Sequence, residues 1–126
     1  LLTHHPEIKV AACIMGSPAL QDYAALVRHL AGRQYQLPSD LQQLTSWLQN
    51  YDLAQYPAQL AGRPVLFWHG TADEKIPYQA VRQFYDQVRQ QEYANQVTFK
   101  TGFGARHLVQ PALMDEIATY FAQQFD

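Results

Sequence analysis

Apolar residues in this chain fall into two kinds of pattern. The first is the short run without helical spacing: Ile8 to Met15 is nearly unbroken and ends in Gly16-Ser17-Pro18, and Pro64 to Trp68 reads the same way. Runs of that length bounded by turn residues predict strands buried on both faces of a parallel sheet. Gln96 to Thr101 is half polar, and its alternation predicts a strand nearer an edge. The second kind is helical: Val81, Phe84, Tyr85 and Val88 follow Pro77, and Leu113, Ile117, Tyr120 and Phe121 follow Pro111. Both prolines suit a first helical turn. Strand, helix, strand, helix predicts an α/β chain with right-handed parallel crossovers.

Ala19 to Leu60 is longer than one crossover needs. It predicts short helices at 20–30, at 40–49 with Asp40 as a cap, and at 53–60, and it reads as an insertion of about 19–60 above the sheet. The opening Leu1-Leu2-Thr3-His4-His5-Pro6 resembles the last turn of a helix whose beginning is absent, because Pro6 disfavours helical geometry in the residue before it. Residues 1–126 then form part of a single domain, without an internal repeat or a linker. Three strands are few for a free-standing sheet, and Val10 to Met15 would present an unpaired apolar edge that something should cover.

Composition narrows the function. The 126 residues are 48% hydrophobic, enough for a core, and only 16% charged, against about 25% in an average protein. With a formal net charge of −2, neither a nucleic acid nor a membrane surface is an expected partner. The single cysteine, Cys13, lies in an apolar run and reads as a buried thiol, so an internal disulfide and multi-cysteine metal sites are excluded. No stretch approaches the roughly 20 apolar residues of a membrane helix, and no signal peptide is recognisable, which leads us to expect a cytoplasmic protein. The first residue is Leu, so a targeting segment upstream could have been lost with the true N-terminus.

Two loops carry the candidate chemistry. Val65-Leu66-Phe67-Trp68 runs into His69-Gly70-Thr71-Ala72-Asp73-Glu74-Lys75-Ile76-Pro77, and Val97-Thr98-Phe99 leads through Gly102 and Gly104 to Arg106-His107. An acid and an imidazole, each just past a strand, suit a pair in which Asp73 orients His107 and His107 activates a hydroxyl. The hydroxyl itself is missing: no Gly-x-Ser-x-Gly elbow, and no variant with Cys or Asp, occurs in the chain. Ser17 precedes a proline that lacks the N–H an oxyanion hole would use, so it reads as a turn residue. Ser39 and Ser46 fall in the insertion. Glu74 reads as a solvated or helix-start carboxylate pointing away from Asp73, and His69 as a structural hydrogen-bonding histidine. His4 and His5 read as surface residues, and His29 has no partner at metal-ligand spacing.

The His-Gly-x-x-Asp-x-x-Ile-Pro motif, followed by Gly102 to His107 before a terminal amphipathic helix, resembles the end of an α/β-hydrolase of the dienelactone-hydrolase, prolyl-oligopeptidase-like and small-esterase group. The Met15-Gly16-Ser17-Pro18 segment is similar to the strand that follows the nucleophile helix in small bacterial esterases of that group. The resemblance implies the last three parallel strands of an α/β-hydrolase sheet with flanking helices and a helical lid-like insertion, the N-terminal half being absent. It also implies Asp73 as triad acid and His107 as triad base, in family order and 34 residues apart. In such a fold Trp47, Tyr51 and Tyr56 either line an acyl or leaving-group pocket or simply pack the insertion onto the sheet. The function so implied is that of a serine hydrolase fragment: a carboxylesterase on small acyl esters, without cofactor or metal, whose serine lies upstream. The parent protein would be an enzyme and the isolated chain inactive. The alternative is a truncated, catalytically inactive module that acts through association at its exposed sheet edge. Expected partners are a small ester in the full-length protein, and a second copy or the missing half at that edge.

Overall fold

The computed structural model describes residues 2–19, 46 and 49–125. Three parallel strands, β1 (Ala11–Ile14), β2 (Val65–Gly70) and β3 (Val97–Gly102), form one sheet in the order β1-β2-β3. Ala11 lies beside Val65, and Val65 beside Val97, so all three strands start level and their C-terminal ends share one edge of the sheet. Helix α1 (Tyr78–Val88) joins β2 to β3, and α2 (Pro111–Phe125) follows β3.

β2 is central, and all six of its residues are buried. Alternate side chains serve two cores, as the period of a strand requires. Val65 and Phe67 pack with Val81, Phe84 and Val88 of α1 and with Leu60 and Val97, while Trp68 packs with Met15 and with Leu113 and Ile117 of α2. The Phe67 and Phe84 rings meet edge to face, 5.8 Å between centroids. Each such side chain contributes about 1.5–3 kcal/mol on leaving water. The two helices thus clamp β2 between them, and its last residues open directly into the candidate loop.

Three expectations change. The first run forms a strand only over Ala11–Ile14, and its residues are half-buried instead of enclosed on both faces. Among the described residues no strand pairs with its outer side. It ends at Met15, a non-glycine residue at φ 54°, a left-handed conformation that side chains disfavour by about 1–2 kcal/mol. The helix expected at 53–60 is instead a series of turns closing in a single 3₁₀ turn, Pro57–Leu60. Pro57 pushes Tyr56 out of the helical region, to φ −130° and ψ 53°. Pro77 sits one residue ahead of α1, at its cap, whereas Pro111 opens α2 as expected. The helix at 20–30 and most of that at 40–49 lie outside the described residues.

Candidate active site

Both candidate side chains sit where strands end. Beyond β2 the chain turns at once, and Thr71 and Ala72 donate their amides to Gly102 O at 2.9 Å and Ala105 O at 3.0 Å across the gap to the loop beyond β3. The approach is close enough to need glycine. A methyl group on Gly70 would overlap the Ala105 carbonyl, and one on Gly102 would overlap the Trp68 ring. Thr71 Oγ1 accepts the Gly104 amide at 2.8 Å, and Gly104 itself adopts φ 71°, which glycine takes without cost. Two loops about thirty residues apart in sequence are thereby laid side by side.

That juxtaposition brings Asp73 and His107 together: His107 Nδ1 donates to Asp73 Oδ2 at 2.9 Å. The Asp73 side chain is completely buried, whereas that of His107 is 36% exposed. Asp73 Oδ1 accepts the amides of Lys75 at 2.8 Å and Ile76 at 2.9 Å, the Asx-type turn that a carboxylate favours at such a bend. Burial opposes the charge on Asp73. The Ile76 amide, His107 and the Lys75 amide outweigh it, and the carboxyl is held below the usual aspartate value. An ionised acid therefore faces the ring, and among the described residues His107 Nε2 has no hydrogen-bond partner.

Glu74 is exposed, as a solvated carboxylate would be, but it is not without contacts. Its carboxylate accepts Arg106 Nη2 at 3.2 Å and the His107 amide at 3.4 Å. Its own amide and that of His107 hold its carboxyl below the ordinary value. Adjacent carboxylates thus grip the same histidine, Asp73 by the ring and Glu74 by the backbone. No local pattern announces this contact. His69, fully buried, donates Nε2–H to Ile76 O at 2.8 Å, the structural role expected of it.

The remaining candidates stand apart. Tyr51 and Tyr56 line one cavity of about 400 Å³ with Thr3, His4, Asn50 and Gln59, and neither Asp73 nor His107 reaches it. Trp47 lies outside the described residues, as does Ser39. Ser17 closes a turn on Ala19, and burial pushes the Cys13 thiol up to about 11, so it stays protonated at neutral pH. Among the described residues no hydroxyl or thiol hydrogen-bonds His107, no group of three or more His, Cys, Asp or Glu side chains is placed to hold a metal ion, and no helix is long and apolar enough to cross a membrane.

No family model matches the sequence. The chain is 36% identical over 92 residues to YitV of Bacillus subtilis (strain 168), a protein assigned provisionally to the esterases; the match covers 70% of this chain and 36% of YitV. It is 24% identical over 128 aligned positions to the esterase YjfP of Escherichia coli (strain K12), covering 98% of this chain and 50% of YjfP. Among solved structures it resembles the Pyrococcus furiosus esterase Pf2001, with a TM-score of 0.65 at 15% identity over 97% of this chain and 46% of that one. The chain spans between about a third and a half of the length of these relatives. In fold it is part of an α/β-hydrolase, with three parallel strands, β1, β2 and β3, and flanking helices.

Proposed function

We propose that this chain carries the acid and the base of a serine hydrolase, a carboxylesterase acting on small acyl esters, whose nucleophile is supplied by residues outside 1–126. The observation that carries this reading is the bond from His107 Nδ1 to the buried Asp73 carboxylate, with Nε2 left without a partner. Nε2 takes the proton of the serine hydroxyl as the oxygen attacks the ester carbonyl, and Asp73 stabilises the imidazolium that forms. His107 then returns the proton to the departing alkoxide, and water enters by the same route to release the acid. No cofactor takes part. The esterase names of YitV, YjfP and Pf2001 support this chemistry.

The same reading puts the protein in the cytoplasm, where a lone thiol such as Cys13 stays reduced. Its small-molecule partner is the ester. The bare flank of β1 takes either the N-terminal half of the hydrolase or a second copy of the chain. That flank also supports the second reading, a catalytically inactive module that works by association alone.

Turnover of p-nitrophenyl acetate and butyrate separates the two. A product read from the coding sequence upstream through residue 126 should hydrolyse both, and His107→Ala should lower its kcat by about 10³-fold or more. Undiminished turnover in that variant would remove His107 from the chemistry.

A further inference from the structure

Main-chain bonds tie the His107 loop to the Asp73 loop only as far as Ala105. Thr71 and Ala72 donate to Gly102 O and Ala105 O, and beyond that point the main-chain bonds among the described residues are local. Leu108 donates its amide to Arg106 O at 2.7 Å, a three-residue turn with His107 at its tip. The imidazole therefore rides on a loop whose last main-chain tie lies two residues before it. From there two side chains continue the connection across the gap. Asp73 accepts the ring at Nδ1, while Glu74 Oε2 accepts the His107 amide at 3.4 Å and Oε1 accepts Arg106 Nη2 at 3.2 Å. The turn that Asp73 closes on the Lys75 and Ile76 amides buries the Asp73 side chain and leaves that of Glu74 outside, beside the second loop.

We propose that Glu74 is a positioning residue for His107: its carboxylate anchors the main chain at the tip of the turn, so that the imidazole is fixed at both its backbone and its ring. Arg106 completes the anchor by holding Oε1, which leaves Oε2 facing the amide. With the ring bond alone, the loop could shift while the Asp73 contact survived, and Nε2 would lose its aim. Misplacement of a catalytic group by about 1 Å can cost on the order of 10²-fold in rate. Here the loss is smaller, because Glu74 and Arg106 are both exposed and water competes for their bonds. The bearing of Glu74 on hydrolysis rests on His107 being the triad base; its hold on the His107 main chain does not.

Amide hydrogen exchange in the 126-residue chain, read by nitrogen-15 NMR, tests the anchor apart from catalysis. Glu74→Ala removes the acceptor, Glu74→Asp keeps the charge but falls one methylene short, and Glu74→Gln keeps the reach and an acceptor oxygen. Glu74 is exposed, so none of the three should unfold the chain. The His107 amide should exchange about tenfold faster with alanine and with aspartate, and return toward the unaltered rate with glutamine. The Thr71 and Ala72 amides, unchanged, would show that the two loops still meet. A His107 rate unaltered in Glu74→Ala would overturn the proposal. In the product extended upstream, kcat should fall about tenfold with alanine and aspartate while KM stays within about twofold, and glutamine should recover most of the loss. Activity kept by aspartate and lost with glutamine would make the charge of Glu74 its contribution and overturn the positioning role. Faster exchange with no esterase activity in any form would leave Glu74 as the anchor and remove the hydrolase reading.

Discussion

Asp73 sets how the candidate site responds to pH. Its native carboxyl titrates below the unfolded value of about 3.9, so the folded chain favours the ionised form. The resulting stability is fully present above the unfolded value and is lost as pH falls through the lowered native one. Asp73→Asn should therefore be less stable than the unaltered chain at pH 7, and the gap should narrow at pH 3. Urea unfolding at the two pH values measures this, and a gap that widened on acidification would contradict it. In the active product the same substitution should cost about 10⁴-fold in kcat, because an amide can leave the imidazole in the wrong tautomer. Asp73 and His107 were legible in the sequence because the motif fixes their order and each follows a strand. Glu74 and Thr71 were not: their partners lie across the gap in the second loop, and no spacing within either loop encodes that contact.

The elements position these residues through two glycines at strand ends. Gly70→Ala should destabilise the chain by about 1–3 kcal/mol, the usual cost of overpacking, and also disturb the Asp73–His107 bond, because the added methyl meets a backbone carbonyl that cannot move aside. Gly16→Ala, with nothing within 4 Å of its new methyl, is the control. Denaturant unfolding compares them; equal stability would argue against the close approach of the two loops. In the core of β2, Leu66→Ala should cost about 2–5 kcal/mol by the same measurement. The core of β2 and the apolar faces of α1 and α2 could be read from sequence, since burial on two faces and helical spacing are local signals. The length of β1 could not. Pairing on one flank only shortens it, and the flank depends on what lies beside it, not on its own residues. Pro57 was a visible warning against the helix at 53–60, and it decided the outcome.

At the scale of the whole molecule the flank of β1, without a strand partner among the described residues, dominates. Its four residues, Ala11, Ala12, Cys13 and Ile14, carry no charge to deter another strand, whereas β3, the opposite edge, carries Lys100. The isolated chain should therefore self-associate in sedimentation velocity, and Ala12→Lys should shift it toward monomer. A stable monomer without that substitution would contradict the exposed edge. On the proposed reading, association and catalysis have one cause, a sheet that continues beyond β1 and brings a serine to His107. Fluorophosphonate labelling tests this most directly. The 126-residue chain should remain unlabelled, while the product extended upstream should be labelled on a serine outside these residues, with labelling lost in His107→Ala. Stoichiometric labelling of Ser17, Ser39 or Ser46 in the short chain would contradict it.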